Sequence, residues 1–204
     1  MLKVGLTGGI ATGKTSVARM LEARAYRVLY ADRIAHELVR PGQSAYDEVV
    51  QAFGRDILAA DGEVDRSKLA AIVFSDRGKL DELNRIVHPR VMDELDRKFA
   101  WLAVAEPDGI VFVEAALLLE SGYAERLDKL VVTWCWPEQQ IERLAASGLA
   151  RAEAERRVAA QMPQEEKRRR ADFEIDCSGT IESTRAQLAQ VVAALEKLAA
   201  RAAS

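Results

Sequence analysis

The chain is poor in the residues that usually carry redox or zinc chemistry. It contains only two cysteines, Cys135 and Cys177, and two histidines, His36 and His88, among 204 residues. The cysteines lie far apart and form no CxxC pair, which is typical of a reduced chain whose thiols pack in the core. Two distant histidines do not form a metal site. We therefore expect a cytoplasmic protein with both cysteines in its core.

Strong charge of one sign and long apolar runs are also absent. The formal net charge is −3, which resembles neither a basic nucleic-acid binder nor an acidic disordered tail. No apolar run approaches the ~20 residues that cross a bilayer, and the first residues read as a strand rather than a signal peptide. Because 49% of the residues are hydrophobic, the chain can bury a substantial core. These patterns predict a single domain without nucleic-acid or membrane partners.

Hydrophobic patterning predicts five short strands that alternate with helices. The strands are expected at Leu2–Leu6, Arg27–Tyr30, Ile110–Glu114, Leu130–Trp134 and Asp172–Asp176. Alternation of this kind is typical of an α/β fold with a parallel sheet. The predicted core therefore comprises residues 1–43, 107–136 and 171–204. Two strand-poor, helical insertions are expected at about 44–106 and about 137–170.

Helix boundaries are predicted from periodicity and from the positions of proline and glycine. The helices expected are Thr15–Ala25, Ala31–Val39, Ser67–Phe74, Asp76–Ile86, Pro89–Ala105 and Ile181–Ala203, with two more beginning at Pro137 and Arg151. Pro89 is interpreted as a first-turn proline that opens a new helix.

The segment GGIATGKT, residues 8–15, fits the phosphate-loop pattern G-x-x-x-x-G-K-[ST] at every fixed position. It follows a predicted strand and precedes a predicted helix, so bare backbone N–H groups and the helix N-terminus can surround a polyphosphate. Lys14 is expected to reach the β- and γ-phosphates, and the Thr15 hydroxyl to bind Mg²⁺. The predicted nucleotide-binding residues are Gly8, Gly9, Ala11, Thr12, Gly13, Lys14, Thr15 and Ser16, with Gly9 allowing a tight loop.

A phosphate loop alone does not define the reaction, since kinases, switch GTPases and motors all use one. The chain lacks the NKxD motif with which GTPases read guanine, and a motor core usually needs more length. A small α/β chain with two helical insertions better suits a small-molecule kinase. One insertion would bind the acceptor, and the other would close as a lid that excludes water.

Four side chains outside the loop are candidates for this chemistry. Asp32 follows the second strand, where it could accept the proton of an acceptor hydroxyl or cap the next helix. Glu114 ends the third strand and could hold Mg²⁺, or serve as a capping or ion-paired glutamate. Arg143 could clamp a phosphoryl group or lie on a solvated face. His88 could cap a helix junction or contact a substrate phosphate.

A series of segments along the chain, taken in order, resembles the dephospho-CoA kinase family. The resemblance runs nearly end to end and is carried by VGLTGGIATGKTSVA, ADRIAHELVRPG, AFGRDILAADGEVDRSKLAAIVFSD, LNRIVHPRV, LLLESG, PEQQIERL, AAQMPQEEK and ADFEIDCSG. It implies a P-loop kinase fold that transfers the γ-phosphate of ATP, with Mg²⁺, to the ribose 3′-hydroxyl of dephospho-CoA, the last step of coenzyme A synthesis. The substrate is then a small molecule, and we expect a monomer or a small homo-oligomer.

The resemblance also implies roles for individual residues. Asp32 matches the family's base for the 3′-hydroxyl, and Lys14 with Thr15 match its phosphate-loop pair. Arg143 matches an arginine that binds phosphate and substrate. Residues 44–106, which include His88, correspond to the CoA-binding insertion, and residues 137–170 correspond to the lid. The adenine of ATP is expected after the fifth strand, at Ser178 and Gly179.

The sequence departs from the family pattern at several positions. Ala11 stands where the family often has glycine, and Cys177 where it usually has asparagine. A lid arginine common in the family appears here as Ser147. Two rival functions remain open: a nucleoside or nucleotide kinase, for example one that acts on AMP, and a regulator that binds ATP or GTP without an acceptor.

Overall fold

The computed structural model describes residues 1–202, apart from the side chains of Phe74 and Ala202. The chain divides into two compact units. The first, the sheet unit, contains Met1–Leu29 and the residues from Trp101 onward, and the second, the helical unit, spans Tyr30–Ala100. The boundaries that the sequence predicts for the insertion and the lid stay predictions.

Five strands form one sheet in the order β2-β3-β1-β4-β5. Their bounds are β1 Leu2–Gly8, β2 Arg27–Tyr30, β3 Ile110–Glu114, β4 Lys129–Trp134 and β5 Phe173–Asp176. β1 pairs in parallel with β3 and with β4, and β4 pairs in parallel with β5. All five predicted strands are confirmed with ends that differ by at most two residues, and so is the α/β fold built on a parallel sheet.

The described residues form nine α-helices and two short 3₁₀ helices. The α-helices are α1 Lys14–Glu22, α2 Ala31–Leu38, α3 Tyr46–Phe53, α4 Arg66–Ser75, α5 Arg77–Ala105, α6 Pro137–Ala146, α7 Arg151–Ala159, α8 Gln164–Arg169 and α9 Ile181–Ala202. The 3₁₀ helices are Arg55–Ile57 and Tyr123–Arg126. No helix within residues 1–202 combines the length and the apolar character that a membrane span requires. The last residue predicted for α9, Ala203, lies outside the described part of the chain.

The central strands are buried because parallel sheets are covered on both faces. Every residue of β3 is buried, and Val4 of β1 and Val132 of β4 are fully inaccessible to solvent. Helix α1 packs its apolar face, with Val17 and Leu21, into this core. The sheet thereby provides a rigid edge from which the loop between β1 and α1 projects.

Helix α1 ends earlier than periodicity predicts. The prediction extends to Ala25, but the helix ends at Glu22, because Ala25 adopts a left-handed backbone with a φ of 65°. The N–H of Tyr26 then donates to the carbonyl of Leu21 at 3.1 Å, which is the pattern of a Schellman C-cap.

The prediction of two helices around Pro89 is wrong, because α5 runs without a break from Arg77 to Ala105. Proline lacks the N–H that would donate to the carbonyl four residues earlier, that of Arg85, and normally interrupts a helix. A buried stripe at Val87, Val91, Leu95 and Phe99 passes straight through the proline. Packing along this stripe stabilises one long helix, and Pro89 is not a first-turn residue.

Candidate functional site

The loop between β1 and α1 needs glycine at both of its ends. Gly8 has a φ of 150°, and a Cβ there would lie 2.3 Å from the Thr133 carbonyl oxygen. Gly13 has a φ of 99° and lies against Cys177, whose Sγ would be 3.1 Å from an added Cβ. Gly13 is also the N-cap of α1 and has no side chain, which leaves the N-terminal turn open toward an anion. The structure therefore has the loop shape that the motif predicts.

Ala11 keeps the backbone shape of a glycine at the cost of strain. Its φ is 59°, in the left-handed region that non-glycine residues rarely adopt. This conformation costs about 1 kcal/mol for an L-residue. The Arg143 guanidinium donates to the Ala11 carbonyl at 3.0 Å and so helps to hold it in place. The departure from the family's glycine thus leaves the loop's shape intact.

Thr12 and Lys14 turn their polar ends inward to the loop. The buried Thr12 hydroxyl lies 2.8 Å from the Gly9 carbonyl oxygen and 2.9 Å from the Thr133 hydroxyl. The Lys14 ammonium donates to the same Gly9 oxygen at 2.9 Å. Thr12 therefore supports the loop from beneath, whereas Lys14 lies at the start of α1, where a phosphate would be bound.

A cleft of about 460 Å³ opens at this loop. It brings together ten residues, Ala11, Gly13, Lys14, Thr15, Ser16, Arg143, Cys177, Gly179, Ile181 and Thr184. The cleft joins predicted loop residues with Arg143 from α6 and with Gly179 from the segment after β5. Of the other predicted nucleotide-binding residues, Gly8, Gly9 and Thr12 are buried behind this surface.

Arg143 connects two walls of the cleft rather than lying on a solvated face. One guanidinium nitrogen donates to the Ala11 carbonyl at 3.0 Å, and another donates to the Cys177 carbonyl at 2.6 Å. The next residue, Ser178, is half-buried, and its carbonyl accepts from Gln139 of α6 at 2.9 Å. Ser178 thus contributes to the segment that borders the cleft, although its own side chain does not line it.

Both cysteines are buried, as predicted. Burial raises the pKa of the Cys177 thiol to about 11 and also raises the pKa of Cys135. Both thiols are therefore protonated at neutral pH. Cys177, which stands at the family's asparagine position, presents an uncharged and weakly polar wall to the cleft.

Glu114 is buried at the end of β3, opposite Leu6 of β1. Its place at the carboxyl edge of the sheet suits an acid that assists a metal, and its alternative role as an ion-paired glutamate stays open. Within residues 1–202 there is no group of three or more His, Cys, Asp or Glu side chains that could hold a metal ion. A Mg²⁺ held mainly by nucleotide phosphates needs only one or two protein oxygens, which Thr15 and Glu114 could supply.

Asp32 and His88 lie in the helical unit. Asp32 is exposed in the first turn of α2, whose N-cap is Tyr30, so the interpretation of Asp32 as the N-cap is wrong. His88 is half-buried inside α5, and the absence of a helix break there excludes its role at a helix junction. Burial lowers the pKa of His88, so its imidazole is mainly neutral at pH 7. The catalytic and substrate-binding roles of both residues stay predictions.

Sequence reasoning missed polar side chains in α6, in α8 and between α7 and α8 that bind the loops after β1 and β3. Gln140 and Gln161 bind the backbone of Ile10, and the fully buried Lys167 binds the Ala116 carbonyl and Glu120. They lie in the segments PEQQIERL and AAQMPQEEK, which carry part of the family resemblance. Helical periodicity does not distinguish a glutamine that faces a loop from one that faces water.

Comparison with known proteins supports one family. The dephospho-CoA kinase family profile matches residues 2–183. A dephospho-CoA kinase from Carboxydothermus hydrogenoformans is 44% identical over 190 residues, which cover 93% of this chain and 92% of that protein. One from Geobacter sulfurreducens is 42% identical over 189 residues, which cover 92% and 95% of the two chains.

Solved structures agree with this assignment. A crystal structure from Thermus thermophilus has a TM-score of 0.79 at 35% identity and covers 95% of this chain and 97% of its own. Dephospho-CoA kinase from Campylobacter jejuni has a TM-score of 0.70 at 25% identity, with 96% and 97% covered. A shikimate kinase from Acinetobacter baumannii, with a TM-score of 0.56 at 13% identity, shares the fold alone. The predicted P-loop kinase fold is confirmed, and the chain belongs to the dephospho-CoA kinase family.

Proposed function

We propose that this chain transfers the γ-phosphate of ATP to the ribose 3′-hydroxyl of dephospho-CoA, which yields coenzyme A and ADP. The observation that carries the proposal is the family match over residues 2–183. An intact phosphate loop supports it, since GGIATGKT has Gly8 and Gly13 where the backbone needs glycine and opens onto a cleft of about 460 Å³.

The loop residues act on the phosphates by charge and position. Lys14 places a positive charge at the N-terminus of α1, where it offsets the charge that develops on the transferring phosphoryl group. Bound Mg²⁺ would supply further charge neutralisation, and Thr15 with Glu114 offers it the hard oxygen atoms that it prefers. Gly179 and Ser178, after β5, form the wall proposed for the adenine.

The acceptor is assigned to the helical unit. Asp32 is the proposed general base, which orients the 3′-hydroxyl and accepts its proton. His88 would contact the substrate as a neutral hydrogen-bonding group rather than as a cation, because burial lowers its pKa. Residues 44–106 are the proposed CoA-binding insertion and 137–170 the proposed lid. We further propose that the enzyme works in the cytoplasm, as a monomer or small homo-oligomer without a nucleic-acid partner.

The proposal is tested by following ADP formation from ATP and Mg²⁺ with dephospho-CoA, with AMP, with adenosine and with no acceptor. We expect fast ADP release only when dephospho-CoA is the acceptor, together with a product heavier than dephospho-CoA by one phosphate. A preference for AMP or adenosine would retain kinase chemistry but reject this acceptor. Slow release that ignores every acceptor would favour a nucleotide-dependent regulator instead.

The bridging role of Arg143 gives a second expectation. In Arg143→Lys a single ammonium replaces two guanidinium nitrogens, so it cannot donate to the Ala11 and Cys177 carbonyls in the same geometry. Loss of one such bond is expected to raise the KM for ATP about tenfold. Steady-state kinetics at saturating dephospho-CoA measure this effect, and Arg185→Lys on the exposed face of α9 serves as the control. An unchanged KM would assign Arg143 no part in shaping the nucleotide cleft.

A further inference from the structure

Both backbone polar groups of Ile10, within the phosphate loop, are bound by glutamine side chains. The Ile10 N–H donates to Gln161 Oε1 at 2.6 Å, and Gln140 Nε2 donates to the Ile10 carbonyl at 2.6 Å. Gln140 belongs to α6, whereas Gln161 follows the end of α7. Two separate elements of residues 137–170 therefore hold the same loop residue, one through an acceptor and the other through a donor.

Two glutamine side chains, Gln140 and Gln164, explain why residue 9 is a glycine. Its backbone does not have the positive φ that favours glycine, so conformational freedom does not explain it. An added Cβ would instead lie 2.6 Å from Gln140 Nε2 and 3.0 Å from Gln164 Oε1. Gln164 is anchored by its other amide atom, which donates to the Cys135 carbonyl at 3.0 Å. Gly9 thus provides the space in which the ends of two glutamines reach the loop.

These contacts lie next to the strained part of the loop. Gln140 fixes the orientation of the peptide group between Ile10 and Ala11, and Ala11 follows with its left-handed φ of 59°. Strained conformations persist only where their surroundings over-determine them. Arg143 on the Ala11 carbonyl and Gln140 on the preceding carbonyl supply two such restraints on the loop.

From these observations we infer that Gln140 and Gln161 are positioning residues for phosphoryl transfer. They act through the backbone of Ile10: Gln161 supplies an acceptor, Gln140 supplies a donor, and together they keep the loop in its phosphate-binding shape. The inference rests on the proposed function, because it assigns the loop's shape a role in the same reaction. Both residues lie in the segment proposed as the lid, so they couple that segment to the phosphate site.

Substitution by glutamate and by methionine at each position tests the hydrogen-bond roles. Gln161→Glu keeps an acceptor for the Ile10 N–H, whereas Gln161→Met removes it. Gln140→Glu places a carboxylate against the Ile10 carbonyl, whereas Gln140→Met only removes the donor. We therefore expect opposite orders: kcat/KM for ATP is higher for Glu than for Met at position 161, and lower for Glu than for Met at position 140.

The size of the effect follows from the loss of one hydrogen bond. Gln161→Met is expected to lower kcat/KM for ATP about tenfold, with Gln161→Glu recovering most of the loss. Gln190→Glu, exposed on α9, adds the same charge at a distant place and controls for net charge. If Glu is worse than Met at both positions, charge repulsion alone explains the data and the inference is overturned. If kcat/KM is higher for Glu than for Met at both positions, the inference is also overturned, because this result indicates a requirement for polarity only.

Two further measurements make the outcome specific. Thermal unfolding of each variant identifies a folding defect, and if buried Gln140→Glu does not fold, the pair at position 161 decides the question alone. Calorimetric titration with a non-hydrolysable ATP analogue, without acceptor, reports the loop's shape independently of turnover. If the wild type binds the analogue but does not phosphorylate dephospho-CoA, the proposed function fails, while the order of analogue affinities still tests the inference.

Discussion

Replacement of Asp32 by asparagine is expected to lower kcat for phosphoryl transfer to dephospho-CoA by about 10²–10⁴-fold, the range that a general base contributes. Asparagine has nearly the same size and can still hydrogen-bond the 3′-hydroxyl, but its amide does not accept the proton. The side chain is exposed in the first turn of α2, so the change creates no cavity and leaves no buried group unpaired. Single-turnover kinetics at saturating ATP and dephospho-CoA measure this step directly.

Asp47 provides a matched control for Asp32. It is also an exposed aspartate in the first turn of a helix of the helical unit, α3, so its carboxylate interacts with a helix N-terminus in the same way. Asp47→Asn therefore removes an equivalent charge and an equivalent helix-terminus interaction. We expect it to keep wild-type turnover. Near-normal turnover in Asp32→Asn would assign the proton to another acceptor and reject Asp32 as the base.

The sheet and the phosphate loop could be predicted because their signals are local. Each strand is a short apolar or alternating segment between turns, and the loop combines glycines, Lys14 and Thr15 at fixed spacing between a strand and a helix. Steric clashes fix the glycine positions, since a Cβ at Gly8 would lie 2.3 Å from the Thr133 carbonyl oxygen. Because steric clashes allow only glycine at such positions, the loop pattern can be recognised in a single sequence.

The long helix α5 could not be predicted because two local rules conflict at Pro89. The proline predicts a helix boundary, whereas the buried stripe that includes Val87 and Val91 predicts continuity. The carbonyl that Pro89 deprives of its helical donor is that of Arg85, and packing along the stripe outweighs this loss. Which of the two rules prevails depends on packing energies that periodicity does not encode, so the choice between them required the structure.

The glutamines at the loop were missed for a different reason. Gln140 and Gln161 are neutral, and neither stands in a motif with a known chemical role. Their significance arises from the hydrogen bonds that they make to Ile10, more than 100 residues away in the chain. Long-range contacts to backbone groups leave no periodic or compositional signal, so this part of the site could only be found in the folded chain.

A large effect on stability is expected where α8 meets the loop after β3. The Lys167 side chain is fully buried, and its ammonium lies 2.7 Å from a Glu120 carboxylate oxygen and 2.7 Å from the Ala116 carbonyl. Glu120→Ala removes the counter-charge and leaves a buried cation with a single neutral partner. Because the Glu120 side chain is itself 23% exposed, we expect the low end of the range for a broken buried pair, about 3 kcal/mol of unfolding free energy. Urea denaturation measures this loss.

The order of single and double variants separates the buried charge from simple loss of a contact. Lys167→Met removes the cation together with its desolvation cost, and the Ala116 carbonyl keeps the Thr7 hydroxyl as a donor at 3.3 Å. We therefore expect Lys167→Met to cost about 1 kcal/mol, and Glu120→Ala combined with Lys167→Met to be more stable than Glu120→Ala alone. Glu165→Ala, which breaks an exposed pair with Arg169, is the control and should change stability little. A double variant less stable than Glu120→Ala would show that Lys167 contributes packing rather than an uncompensated charge.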